Sequence, residues 1–252
     1  MPVKTGAGLE ELHPMRPFEK NMPVKLGALV PAYNEAARLP VVLNILLSLD
    51  GFSEILCVDD GSTDGSATML RRDFPRVQVL ALPANRGKAG AVLAGAQHST
   101  CDHLLLMDAD LQQLDRKQLA AGLAQVNRTP DVDMVVFVRT AEPLWARLIR
   151  GNDLFSGERI IRRADLVALL QGDQVHGYEL EVALNQYMID NKKKVLRMPL
   201  YCRSKPAAEK IGFWAGWRKE LRMAGAIFKF LGARRFVQQM LWFAPFLKSR
   251  AA

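Results

Sequence analysis

Along the first 140 residues, apolar positions come in short runs, and between the runs they recur at helical spacing. LGALVPAY (26–33), EILCVDD (54–60), VQVLALP (77–83), DHLLLMDA (102–109) and DMVVFVRT (133–140) have the length and texture of buried strands. Between them, residues 35–49 put Leu39, Val42, Leu43, Leu46 and Leu47 on one helical face. Further helices are predicted over 64–73, 87–99 and 115–127. Strands that alternate with helices imply mostly parallel pairing and an α/β sandwich of three layers. Such sheets bind ligands outside the carboxyl ends of their strands.

Beyond residue 150 the alternation loosens. SGERIIRR (156–163) reads as a strand and a turn, GYELEVALNQYMIDNKK (177–193) as a helix, and VLRMPLYC (195–202) as a strand. Two amphipathic helices rich in Phe, Trp, Lys and Arg are predicted over 207–231 and 234–247. Residues 1–24 carry four prolines and no period. The expected division is an irregular arm over 1–24, one α/β domain over 25–205, and a basic helical tail over 206–252.

Polar clusters mark four of the strand ends: Tyr33-Asn34-Glu35, Asp59-Asp60-Gly61-Ser62, Asn85 to Lys88, and Asp108-Ala109-Asp110. In a parallel sheet these ends converge on one edge, and that convergence weighs more than any single motif. Two carboxylates in D-x-D alternate across a strand but meet where the strand turns. Alone they read as solvated turn residues; held together they call for a hard cation, Mg²⁺ or Mn²⁺. Gln112 can add an amide oxygen. In VDDGSTDGS (58–66), Ser62, Thr63 or Asp64 caps the next helix. Capping leaves Asp59 and Asp60 unexplained; they suit hydrogen bonds from a base or a ribose. Lys88, at a helix start among small residues that let the helix lie close to the sheet, suits a phosphate. No G-x-x-x-x-G-K-[ST] and no G-x-G-x-x-G after the first strand is present, so triphosphate hydrolysis and dinucleotide binding are disfavoured.

Charge changes the picture in one place. The net charge is +8, but Lys192 to Ala252 hold 15 Lys/Arg against two Glu, a net of +13, while the first 191 residues hold 19 Lys/Arg and 24 Asp/Glu, a net of −5. The tail asks for an anionic partner. The acidic strand ends argue against nucleic acid. The three cysteines show no metal or disulfide spacing, no leader pattern opens the chain, and no apolar stretch reaches spanning length, so a cytoplasmic protein is expected.

VPAYNEAARLP, VDDGSTDGS, NRGKAGA and MDADLQ, in this order, resemble the family 2 glycosyltransferases of GT-A fold over about residues 26–205. DADLQ, the pattern Asp153-x-x-Ser156-Gly157-x-Arg159 and Tyr178 to Glu181 are most similar to the polyprenyl-phosphate sugar synthases. The resemblance implies a nucleoside-diphosphate sugar as donor, a lipid phosphate as acceptor, and work on the cytoplasmic membrane face. It implies that Pro31, Ala32, Tyr33 and Glu35 line the base and ribose pocket. Asp59 would contact the base, with Asp60 and Ser62 beside it and Lys88 near the nucleotide. Asp108 and Ala109 would lie at the ribose or metal, and Asp110 with Gln112 at the metal. Asp153 falls near the sugar or acceptor, and Arg203 with Lys205 at phosphates. The chain departs from the family pattern at Ala89, at the short stretch TAEPLWARLIRGN, and at Glu158, where an aromatic is usual.

The expected reaction is direct displacement with inversion, the metal and cations such as Lys205 taking up the leaving charge. A lipid phosphate needs no strong base. A saccharide or other hydroxyl acceptor in envelope glycan synthesis, the alternative, needs a carboxylate to take its proton. The candidates are Asp153, then Glu179, then Glu181. Glu179 and Glu181 lie about 200° apart on a helix, so only one faces a cleft; Glu181 is expected to face solvent. Arg139 and Arg150 are candidates for an acceptor phosphate. The tail over 207–250 is expected to lie on an anionic membrane surface or to pack in a homodimer.

Overall fold

The computed structural model describes residues 24–129, 131–140, 156–172, 179–204 and 213–243. The arm over 1–23, Arg150, Asp153, Tyr178 and Lys205 lie outside the described residues.

The predicted alternation is present. It runs β1 (Leu26–Ala32), α1 (Leu39–Leu47), β2 (Phe52–Asp59), α2 (Ser66–Asp73), β3 (Gln78–Ala81), α3 (Gly87–His98) and β4 (His103–Leu106). Then come β5 (Leu111–Leu114), α4 (Arg116–Arg128), β6 (Met134–Arg139) and β7 (Arg159–Arg162). The chain continues through α5 (Arg163–Gly172), α6 (Glu179–Asp190), β8 (Val195–Leu200), β9 (Cys202–Ser204) and α7 (Phe213–Phe243). Among the described residues the main sheet has the order β3-β2-β1-β4-β7-β6-β8. Only β7 runs antiparallel to its neighbours. This is a GT-A α/β/α sandwich with a mostly parallel sheet.

Period-two alternation divides the core between the two faces of the sheet. In β1, Ala28 and Val30 pack with α1, α2 and α4, while Leu29 faces α3, α5 and α6. The small-residue helix α3 lies as close to the sheet as its sequence suggests: a Cβ at Gly95 would sit 2.3 Å from Leu29 and 2.8 Å from Val58. Helix α4 begins at Asp115, whose carboxylate accepts the main-chain N–H groups of Lys117 and Gln118 at 2.8 and 3.1 Å. All three cysteines are free and buried, and burial raises each thiol to about 12.

Four features depart from the expected elements. Leu111–Leu114, expected only as the turn after Asp110, forms the short strand β5. Arg163–Gly172 forms a helix rather than the tail of a turn, because Leu166, Leu169 and Leu170 reach the core at helical spacing. VLRMPLYC is two strands. Tyr201 breaks it by donating its main-chain N–H to Gln118 Oε1 while its carbonyl accepts the N–H of Asp115, and β9 then turns away to pair with β5. The two tail helices are one assigned segment broken at Gly232, which has φ 69° and ψ 162°.

His103 gives the fold a pH dependence. Its ring is buried in β4 beside Arg162, and burial first, then that cation, lowers its pKa to about 4. The unfolded chain therefore binds a proton that the folded chain does not between about pH 6.5 and 4. Stability from this residue is complete above pH 6.5 and falls as the pH drops towards 4, by about 3 kcal/mol in all. Urea unfolding at pH 7 and pH 4.5 should show that loss in the wild type and a distinctly flatter dependence in His103→Gln.

Candidate active site

The parallel strands β2, β1 and β4 deliver three polar loops to one edge, at the point where the strand order reverses between β1 and β4. The loops are stitched together. The Asn34 N–H donates to Ser62 Oγ at 2.9 Å, and Asn34 Oδ1 accepts the Thr63 N–H at 2.8 Å. Asn34 adopts φ 55° to do so. Asp64 accepts the N–H groups of Ala36 and Ser66, each at 3.0 Å, and so ties the first loop to the first residue of α2; the N-cap itself is Gly65, in the left-handed region, and not Ser62, Thr63 or Asp64 as expected. Asp60 Oδ1 accepts the Arg86 N–H at 2.7 Å, which fixes the entry to α3. Gly61, at φ 72°, lies so close to the loop between β3 and α3 that a Cβ would stand 2.8 Å from the Ala84 carbonyl carbon. Ser62, Asp64 and one oxygen of Asp60 thus serve the architecture. Asp59 does not. It is 3% exposed, and its Oδ1 is buried with no hydrogen-bond partner among the described residues. A buried acceptor without a donor is costly unless something else supplies the donor.

The other wall is an ion cluster. Lys88 Nζ stands 2.7 Å from Asp108 Oδ1 and 2.6 Å from Glu181 Oε1. Arg139 grips Glu158 with two nitrogens, at 3.0 and 2.6 Å, and reaches Asp108 Oδ2 at 3.4 Å. Glu158 is fully buried and also accepts from Ser156 Oγ at 2.9 Å. Gly157 leaves room for Asp108: a Cβ there would lie 2.7 Å from its Oδ2. Behind this, Arg159 is fully buried and donates to the carbonyls of Ser156 and Glu181 and to Asn185 Oδ1. Three cations face three carboxylates. Burial alone would lower the Lys88 pKa, but Asp108 and Glu181 raise it well above the usual lysine range. Glu158, against burial, raises Arg139 likewise. Burial lowers Arg159 to about 10, against the pull of Glu181, Glu158 and Asp108, so it stays charged at neutral pH.

Between the walls is a cleft of about 450 Å³. Of the residues singled out in the sequence, Pro31, Ala32, Tyr33, Glu35, Asp60, Lys88, Asp108, Ala109 and Asp110 line it together. Asp59 closes β2 beside it, and Ser62 serves as the staple described above. Gln112 and Arg203 are exposed on the small β5–β9 sheet that continues from Asp110. Glu179 is half-buried at the start of α6 and does not line the cleft.

Glu181 corrects the expectation. It is 8% exposed and bound to Lys88, not solvent-facing. The 200° separation does admit only one of the pair, and the phase of α6, set by Leu180, Ala183 and Leu184 in the core, selects Glu181. Arg139 is engaged with Glu158 and Asp108. The sequence marks Glu158 only as a departure from an aromatic and not as the partner of Arg139; the signal for the pair is that Glu158 just precedes β7 while Arg139 closes the neighbouring β6.

A divalent ion fits on limited terms. Both Asp108 oxygens already face cations, and no group of three His, Cys, Asp or Glu suited to a metal occurs among the described residues. Asp110, with Gln112 two residues on, offers one or two oxygen ligands. That suits a hard ion that takes its remaining ligands from water and phosphate.

Residues 28–178 match the model of glycosyl transferase family 2. The chain is 28% identical over 227 residues to the uncharacterized glycosyltransferase YaiP of Escherichia coli K12, covering 77% of this chain and 55% of that protein. It is 38% identical over 96 residues to the undecaprenyl-phosphate 4-deoxy-4-formamido-L-arabinose transferase of Sodalis glossinidius, covering 35% of this chain and 29% of that one. The chain thus spans about half or less of the curated relatives it matches. Among solved structures it resembles glucosyl-3-phosphoglycerate synthase of Mycobacterium tuberculosis. The complex with Mn²⁺, UDP-glucose and phosphoglyceric acid gives a TM-score of 0.59 at 16% identity, covering 78% of this chain and 79% of that one. The complex with Mg²⁺ and UDP gives 0.59 at 18%, with the same coverage.

Glu181→Gln removes the second carboxylate from Lys88 and should cost about 2 kcal/mol, less than the full loss of a buried pair. Urea denaturation measures the loss, and one on the scale of an exposed ion pair, under about 0.5 kcal/mol, would contradict the inward phase assigned to Glu181.

Proposed function

The chain belongs to glycosyl transferase family 2, and on that footing we propose that it moves one sugar from a nucleoside-diphosphate sugar to a polyprenyl-phosphate lipid, with inversion, at the cytoplasmic face of a membrane. The orphaned Asp59 oxygen is the acceptor for an N–H of the base, above Pro31, Ala32 and Tyr33. Glu35 and Asp60 face the ribose. Lys88 lies nearest the diphosphate, and Arg203 and Lys205 are its further phosphate contacts. Mg²⁺ or Mn²⁺ would be held by Asp110 and Gln112, with Asp108 alongside, and would neutralise the leaving diphosphate. Asp153 and Glu179 are assigned to the sugar and acceptor side.

One observation carries the choice of acceptor. The two carboxylates that flank Asp108, Glu158 and Glu181, are each bound to a cation. A carboxylate engaged in this way is already committed to the cluster and is not placed to take a proton from an acceptor. An acceptor that arrives as a phosphate anion needs none, whereas a hydroxyl does. The name of the Sodalis relative supports the same class of acceptor. The tail supports a membrane setting: Phe228, Val237, Met240 and Leu241 are exposed on α7 beside the exposed Lys229, Arg234 and Arg235. No helix among the described residues is long and apolar enough to cross a membrane. We propose that residues 206–252 act as a peripheral contact for the domain over 25–205, with 1–24 as an arm.

Donor-binding, transfer and flotation measurements test this reading. Saturation at about 100 times Kd should add about 2.7 kcal/mol of stability when the matching UDP-, GDP- or dTDP-sugar is supplied with Mn²⁺. Asp110→Asn should abolish the dependence on Mn²⁺; failure of all nucleotides to shift the melting curve would overturn the donor assignment. In the second, labelled sugar should pass to polyprenyl phosphate and not to polyprenol. Flotation with anionic vesicles should drop in Val237→Glu/Leu241→Glu. Transfer only to hydroxyl acceptors would sink the acceptor reading, and a vesicle-insensitive dimer by sedimentation would replace the membrane contact.

A further inference from the structure

The arm of α7 beyond Gly232 reaches the ion cluster through a buried polar chain. Gln239 is 1% exposed on an otherwise exposed stretch. Its Nε2 donates to the Val182 carbonyl at 3.0 Å and to Gln186 Oε1 at 3.1 Å, and its Oε1 accepts from Asn185 Nδ2 at 3.5 Å. Asn185, fully buried, accepts from Arg159 with its Oδ1 at 2.7 Å, and the same Arg159 nitrogen donates to the Glu181 carbonyl at 3.1 Å.

Two adjacent carbonyls in the first turns of α6, those of Glu181 and Val182, therefore receive side-chain hydrogen bonds from outside the helix. One comes from the motif strand β7 and one from the tail. A carbonyl has two lone pairs, so these bonds add to the helix's own. A brace needed only to dock α7 could fall anywhere along the α6 surface, and apolar contacts such as Leu231 against Val182 already dock it. These polar bonds fall on the turn that carries Glu181, and Glu181 holds Lys88 at 2.6 Å.

We propose that Gln239 is a positioning residue: through Val182 and Asn185 it sets the first turns of α6, and so holds Glu181 against Lys88. From the proposed function this takes only that Lys88 serves the donor's diphosphate. The tail then has two roles on two faces of one helix, with Val237 and Leu241 outward and Gln239 inward.

Lys88 is the reporter, and its readout does not depend on turnover. Pulse labelling with acetic anhydride, followed by mass spectrometry, gives the reactivity of Lys88 relative to the exposed Lys192 and Lys229 in the full chain. Gln239→Leu should raise Lys88 labelling about tenfold, the scale expected from losing one or two hydrogen bonds that hold the turn. Leu231→Ala weakens the same helix contact by packing alone; even with an equal or larger fall in melting temperature it should leave Lys88 protected. Unchanged Lys88 protection in Gln239→Leu, or equal exposure in Leu231→Ala, would overturn the positioning role. With the matching donor, Gln239→Leu should lower kcat more than it raises KM. Absence of any donor turnover in the wild type would count against the proposed reaction and leave the labelling result standing.

Discussion

Asp108 is held by two cations at once, and much of the molecule is arranged around that fact. Lys88 comes from the start of α3, Arg139 from the end of β6, and Glu158 and Glu181 from either side of the segment that leads into α6. None of these charges would tolerate burial alone, and removing one partner from a buried pair is far costlier than the pair is worth. The cluster therefore fixes four elements relative to the strand end that carries the D-x-D turn. Gly157 belongs to the same constraint, since a side chain there would occupy the space of the Asp108 carboxylate.

The opposite side of the cleft is rigid for a different reason. There the loops are joined by hydrogen bonds from main-chain N–H groups to short side chains, at Asn34, Ser62, Asp60 and Asp64. Such bonds cost little side-chain entropy and leave few groups free to compete with a ligand. Asp59 is the exception, and its unsatisfied oxygen is the clearest mark of an intended guest on that wall. A preformed polar wall faces an internally neutralised one.

How much of this was legible in the sequence follows from the range of each interaction. The strands of the main sheet, α1 to α4 and the convergence of the polar strand ends were legible, because period and turn chemistry are local. Nine of the cleft residues follow from that convergence alone. The pairing of Lys88 with Glu181 was not, because 93 residues separate them and the phase of α6 depends on which face its apolar residues bury. The helix at Arg163 was hidden by charges that look like a turn until Leu166, Leu169 and Leu170 are seen to share a core. The break at Tyr201 depends on Asp115 and Gln118, far away in the chain. Gln239, a polar residue in an amphipathic helix, has no local signal that separates it from its exposed neighbour Gln238.

The buried thiols have a practical side. Cys57, Cys101 and Cys202 sit in the core with the thiolate disfavoured, and the thiolate is the species that reacts with maleimides and with methanethiosulfonates. A single cysteine introduced on the surface would therefore be the site that a fluorophore or spin label finds first, with the natural three left in place. Distances between the tail and the cleft are then open to measurement in the unaltered core.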